Sequence, residues 1–256
     1  MKRIYTATFA LLLVTLSHAQ MGSLAFSVGV PQNDFRENTD AVGFGFDLSF
    51  AFPFDDDVPI YGGLDFNYMV YGRNAQREDL VAEIRTSTGT LLGQLDIPLE
   101  IVNTNSLFAT HAFIRAVAPL DNIQPYAEGL VGFRYISTNT KILDRSDDGR
   151  YSDEDDNVIV RKTILDDFVF SYGFGGGFLV KLSRNVFIDL RADFFRGQRA
   201  QYFDGTDTES WNVEFTGSEA AYDPANLQKG DLDFATEARS STTDLLVIKF
   251  GIAATF

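Results

Sequence analysis

The chain has no cysteine, which excludes disulfides, a thiolate metal site and a lipid anchor carried on an N-terminal Cys. Histidine is almost as scarce. Only His18 and His111 occur, and His18 lies in the first nineteen residues. Basic residues are outnumbered, with 21 Lys and Arg against 36 Asp and Glu and a formal charge of −15. That balance argues against nucleic acid, whose binding needs a basic footprint. After residue 19 no apolar run approaches the roughly 18 residues of a membrane helix. If this chain crosses a bilayer, it does so with strands.

What is present begins with a leader. Lys2 and Arg3 precede an apolar stretch from Ala7 to Leu16, and Ser17-His18-Ala19 supplies small residues at the −3 and −1 positions of a cleavage site. Residues 1–19 are therefore expected to be a cleaved signal peptide, with residues 20–256 forming one domain. Loss of Lys2 and Arg3 makes the remainder more acidic by two further charges.

Eight segments alternate with a period of two, each bounded by turn or polar residues. They are 23–30, 41–52, 60–71, 106–118, 125–137, 168–182, 186–195 and 243–256. The second is the clearest: Val42, Phe44, Phe46, Leu48, Phe50 and Phe52 share one face, and Gly43, Gly45, Asp47, Ser49 and Ala51 the other. A helix would scatter those six apolar residues around its circumference. In the fourth segment we place Phe108, Ala112, Ile114 and Ala116 outward and His111, Phe113 and Arg115 inward, because the opposite phase puts Arg115 toward lipid.

The connections alternate in length. Residues 53–58, 119–124 and 183–185 are short turns, whereas 31–40, 73–105, 138–167 and 196–242 are polar and mostly long, and read as loops. Both termini fall on the side of the short turns. This is the rhythm of an eight-stranded antiparallel, up-and-down transmembrane β-barrel with periplasmic termini and long extracellular loops.

Alternation alone also fits a soluble barrel with an apolar interior, and side-chain size separates the two. One face carries Phe, Leu, Ile and Tyr; the other carries Gly, Ala and Ser with isolated charges. An eight-stranded barrel is too narrow to hold the large face, which must face lipid. The interior then holds Asp47, Asp65, Arg115, Glu128, Arg134, Lys181, Asp189, Arg191, Asp193 and Lys249, five acids and five bases. Confined charges of both signs point to a paired, packed network, with a gated ion path as the functional alternative.

The chain ends on Phe256, which resembles the C-terminal aromatic signal that barrel-assembly machinery reads on outer-membrane barrels. The stretches His111–Pro119 and Gln124–Tyr135 are similar to the central hairpin of the outer-membrane β-barrel domain family, which includes small barrels of the OmpA/OmpX type. The resemblance implies an outer-membrane location, outer-membrane lipid and the assembly machinery as partners, and no single activity.

Chemistry is sparse. Nucleophilic catalysis needs a base beside its hydroxyl, and beyond the leader His111 is the sole imidazole, placed on an inward face with no Ser at a spacing that resembles the lipid A acyltransferases or deacylases. Tyr172-Gly-Phe-Gly-Gly-Gly-Phe178 lacks the Lys-Ser/Thr and the helix of a phosphate loop, so Gly173, Gly175 and Gly177 read as an interior stripe that leaves room for larger neighbours. In the acidic loop from Asp144 to Asn157, residues 152–155 are a candidate Ca²⁺ site, with clustered oxygen ligands but without EF-hand spacing. The run there reads Ser152-Asp153-Glu154-Asp155-Asp156. A solvated external loop is the simpler reading. Trp211, Phe215, Tyr222 and Phe234 in the last loop could anchor a partner or fold over the barrel mouth. The expectation is a non-enzymatic barrel without cofactor, serving envelope structure or surface interaction. The alternatives are an adhesion module with an extracellular or envelope protein partner, and a small solute channel.

Overall fold

In the computed structural model, which describes residues 21–55, 57–85, 91–145, 157–205, 207, 214–215, 232–233 and 237–256, the period-two segments form strands that close on one another. They are β1 (Met21–Pro31), β2 (Gly43–Asp55), β3 (Val58–Arg85), β4 (Leu91–Val117), β5 (Ile123–Asp144), β6 (Val158–Lys181) and β7 (Val186–Gly197). After the minor strands β8 (Arg199–Tyr202), β9 (Glu214–Phe215), β10 (Leu232–Asp233) and β11 (Arg239–Thr242), β12 (Leu245–Thr255) completes the ring. Each major strand pairs antiparallel with its neighbour in the chain. The last closes on the first, from Met21 opposite Thr255 to Pro31 opposite Leu245. Closure leaves no unpaired edge, the condition a sheet must meet to sit in hydrocarbon.

Neighbouring residues on β2 fix which face is which: Phe46 is 65% exposed and Asp47 only 1%. The same division runs around the ring. Leu24, Phe46, Tyr68, Ile114, Phe133, Phe174, Leu190 and Phe250, one from each major strand, all lie exposed on the outside. Cross-strand aromatic contacts knit this exterior, including Phe26 with Phe46 at 6.2 Å and Phe133 with Phe168 at 5.1 Å. Water-soluble monomers rarely expose an apolar patch beyond a few hundred Å². A complete apolar girdle around a charged interior is the inside-out arrangement of a membrane-spanning barrel. On β4, Phe108 and Ile114 face out while His111, Phe113 and Arg115 are buried, the phase expected from the cost of Arg115 in lipid.

Two of the expected loops are instead strand. Most of 73–105 continues β3 and β4, and 138–144 and 158–167 continue β5 and β6. The paired extension of β3 and β4 runs out to Arg85 opposite Leu91, and that of β5 and β6 to Leu143 opposite Val158. Bulges between Val70 and Gly72 and between Thr138 and Asn139 mark where the barrel wall passes into these extensions. The segment 31–40 holds a short helix, α1 (Asn33–Asn38), and β8 pairs with β11 inside the last connection. β12 ends at Thr255, one residue before the expected limit, leaving Phe256 84% exposed beyond it. Residues 1–19, the expected leader, lie outside the described residues.

Candidate functional site

The inward positions near the middle of the strands bring together most of the charges expected inside. Lys249 on β12 is the hub. Its Nζ lies 2.6 Å from Asp47 Oδ2, 3.0 Å from Asp65 Oδ2 and 3.1 Å from Asp193 Oδ2. Arg191 on β7 meets the same acids from the other side, with Nη2 at 2.5 Å from Asp47 Oδ1 and Nη1 at 3.0 Å from Asp65 Oδ2. The same Nη1 reaches Glu128 Oε1 at 3.2 Å, and Nε lies 3.6 Å from Asp193 Oδ2. Glu128 also accepts from Arg115 Nε at 2.7 Å. Buried charges persist when paired in this way, here with hydrogen bonds to Asp47, Asp65 and Glu128 and by charge alone at Asp193, and removing one partner strands the rest.

Asp189 and Arg134 are buried but stand apart from that hub. Asp189 accepts from the Tyr126 hydroxyl at 2.5 Å and from Ser23 Oγ at 3.1 Å. Arg134 donates to the Thr243 carbonyl at 2.5 Å and lies over the Phe195 ring, 4.9 Å from its centroid. Lys181 is a correction. Although its parity points inward, it is the last residue of β6, below the closed interior, and its side chain is exposed to solvent. Without it, nine of the ten expected charges are buried, five carboxylates and four cations.

Three hydroxyls meet partners that the sequence reading did not assign to them: Tyr126, Ser23 and Ser171, the last placed inward by strand alternation. Single hydroxyls carry no hydropathy signal, so only the barrel's closure brings them to their partners. Ser171 Oγ lies 2.7 Å from His111 Nε2, the two residues being 60 apart in sequence. The pair has the first element of a nucleophile and base. It lacks the second: His111 Nδ1 has no hydrogen-bond partner, the ring stacks on Phe195 at 4.5 Å, and both residues are buried without access. The arrangement suits a packed imidazole.

Apolar layers close the interior at both ends. Met21, Ala51, Val117, Tyr126, Leu179, Phe187 and Ala253 lie inward near the strand ends beside the termini. Met69, Leu107, Ile136, Val169, Phe195, Leu245 and Val247 do so above the charges. The cavity between His111, Arg134, Phe195 and Lys249 is about 10 Å³, room for at most one water.

Beyond the upper layer, α1 and the β8/β11 pair cover the mouth. Phe35 packs edge-on against Tyr202 at 5.0 Å, and Arg239 joins the pieces, donating to the Asn38 carbonyl and to Asp207 Oδ1 at 2.5 Å. The hydrogen bond that Arg239 donates to Asp207 raises its guanidinium above the usual range. Beside them lies an open cleft of about 510 Å³ lined by Arg36, Thr39, Tyr71, Arg73, Asp204 and Arg239.

The Ca²⁺ candidate span 152–155 lies outside the described residues. The span opens on Ser152, a hydroxyl and a weaker cation ligand than a carboxylate. Its acids are Asp153, Glu154 and Asp155, with Asp156 following. Trp211, Tyr222 and Phe234 also lie outside the described residues, while Phe215 falls on β9. Among the described residues, no three acidic or imidazole side chains are grouped to hold a metal ion.

No family model matches the sequence, and no curated protein matches it. Among solved structures, the chain is similar to Ail, the attachment invasion locus protein of Yersinia pestis, in complex with the heparin analogue sucrose octasulfate. That match has 11% identity and a TM-score of 0.39, over 92% of this chain and 98% of that one. It is also similar to Neisserial surface protein A, at 9% identity and a TM-score of 0.37, over 92% of this chain and 96% of that one.

Proposed function

We propose that this protein is a non-enzymatic integral outer-membrane β-barrel with a structural, closed interior, acting at the cell surface through its extended hairpins. The observation that carries the reading is the contrast between its two ends and its middle. The cavity beside the ion cluster, between His111, Arg134, Phe195 and Lys249, holds only about 10 Å³, whereas β3–β6 rise beyond the girdle as paired strands and an open cleft lies at the mouth. A solute path would need a continuous wet channel, and the packed interior weighs against one. On this reading the leader at residues 1–19 directs export, the short turns and both termini face the periplasm, and Phe256 serves the assembly machinery.

Trimming both hairpin extensions back to their bulges tests the assignment in cells lacking the wild-type protein. The trimmed barrel is expected to assemble and show heat-modifiable migration, yet to reproduce any surface-attachment defect of the deletion strain. A trimmed form that restores attachment fully would overturn the surface role. It would leave envelope integrity, measured as detergent sensitivity of the deletion strain, as the function to pursue.

A further inference from the structure

Three polar side chains from adjacent strands meet in one small interior space. Asn67 on β3, His111 on β4 and Arg134 on β5 all line the cavity of about 10 Å³, which Leu107, Ala109, Phe195, Leu245 and Val247 enclose. Lys249 completes the lining, with its ammonium engaged by Asp47, Asp65 and Asp193. The other three each bring a buried atom that has no hydrogen-bond partner in the protein: Asn67 Oδ1, His111 Nδ1 and Arg134 Nη2. A buried polar atom without a partner is costly, and native interiors contain few. Three around one cavity define the chemistry of what fills it.

Their bonds on the other side show which atoms are donors. Asn67 Nδ2 lies 2.9 Å from Ser27 Oγ, 3.3 Å from the Phe46 carbonyl and 3.4 Å from Asp47 Oδ2. A carbonyl and a carboxylate only accept, so the amide nitrogen faces them and Oδ1, an acceptor, is left for the cavity. Arg134 uses Nη1 on the Thr243 carbonyl, and Nη2 carries only donors. The Ser171 hydroxyl is fully buried, with His111 Nε2 at 2.7 Å as its side-chain partner. Its proton therefore goes to Nε2, and the proton of the imidazole sits on Nδ1.

The cavity thus offers two donors and one acceptor, with room for one small molecule. A halide would satisfy the donors but be repelled by Asn67 Oδ1, and a cation would meet a guanidinium. Water fits both, since a buried water makes about three hydrogen bonds and both accepts and donates. We propose that this cavity is the site of a single resident water that accepts from His111 Nδ1 and Arg134 Nη2 and donates to Asn67 Oδ1. The water ties β3, β4 and β5 together beneath the upper apolar layer. It also connects Arg134 to the ion cluster, through the Asn67 amide that reaches Asp47. The inference rests on the closed interior but fails on different evidence.

The test uses the untagged chain from residue 20 onward, folded in detergent and checked by heat-modifiable migration. A crystal structure is determined at a resolution that shows ordered waters, from crystals grown in bromide. One density peak is expected within hydrogen-bond distance of all three atoms, without an anomalous bromide signal. His111 is the sole histidine of that chain, so its imidazole ¹⁵N resonances are assigned without ambiguity. They are expected to show Nδ1 protonated and Nε2 bare. Ala109→Val, which extends a lining side chain into the space, is expected to remove the peak; if it does not fold, the wild-type measurements decide. An anomalous bromide peak would overturn the proposal in favour of an anion. Absence of density between ordered side chains, or a proton on Nε2 and none on Nδ1, would overturn it as well. A file of connected waters from the cavity to either rim would defeat the closed interior, and this site with it.

Discussion

Gly175 faces Asp193 so closely that a Cβ built on the glycine falls 1.9 Å from Asp193 Oδ1. Asp193 is held in turn by Lys249 at 3.1 Å, so the glycine's missing side chain is the space in which part of the ion cluster sits. Gly175→Ala is expected to destabilise the barrel by about 1–3 kcal/mol through overpacking. Gly129→Ala supplies the contrast, since a Cβ there meets nothing within 4 Å. Urea unfolding in lipid vesicles should show a large shift for the first and almost none for the second. Equal shifts would contradict the packed interior.

Arg191 touches four carboxylates at once, those of Asp47, Asp65, Glu128 and Asp193. Arg191→Met keeps most of the volume and leaves those acids to Lys249 and Arg115. The expected loss is about 3–5 kcal/mol, the cost of uncompensated buried charge. An unfolding midpoint within error of wild type would show that the acids find compensation elsewhere.

Phe46 and Phe54 are almost equally exposed, at 65% and 66%, but Phe46 lies within the girdle and Phe54 at the end of β2 beside the short turn. Depth should therefore separate them. Phe46→Arg is expected to cost about 2–4 kcal/mol on folding into a bilayer, and Phe54→Arg about 0–1 kcal/mol. Similar penalties, measured by folding into lipid vesicles, would place the girdle elsewhere on the barrel.

Arg239 ties α1 to the β8–β11 region through Asn38 and Asp207 at the solvent-facing mouth. Because the side chain is partly exposed, Arg239→Ala should change global stability by less than about 1 kcal/mol. Amide exchange at Thr39, whose N–H donates to the Phe35 carbonyl, is expected to quicken while exchange in β7 and β12 stays slow. Faster exchange throughout the barrel would mean that the mouth and the wall unfold together.

The wall of the barrel was legible in the sequence because one face meets lipid and the other does not. Phe44, Phe46 and Phe50 against Gly45, Asp47 and Ser49 is a contrast that only a two-faced strand produces. Above the membrane that contrast vanishes. Arg73, Ala75 and Arg77 alternate with Gly72, Asn74 and Gln76, polar on both faces, so the extensions of β3–β6 read as loops. The charged interior followed from strand parity, which held for Asp47, Asp65 and Lys249. Parity lost its meaning for Lys181, where β6 has already left the packed interior. The apolar layers were hidden by the same rule. Leu179, Phe187 and Phe195 are inward yet as apolar as their outward neighbours, and their signal was the runs Phe178-Leu179-Val180, Val186-Phe187-Ile188 and Phe194-Phe195, apolar on both faces near strand ends. Alternation placed Ser171 inward, but nothing local pointed to its contact with His111 or to those of Tyr126 and Ser23 with Asp189.

A closed interior has one direct consequence, and single-channel recording in planar bilayers measures it. The folded protein, inserted and verified by heat-modifiable migration, is expected to show no unitary conductance across the voltage range the bilayer tolerates, because the void among His111, Arg134 and Lys249 is about 10 Å³. Stable, stepwise ohmic conductance from the wild-type chain would contradict the plugged barrel and return the interior charges to the role of an ion path.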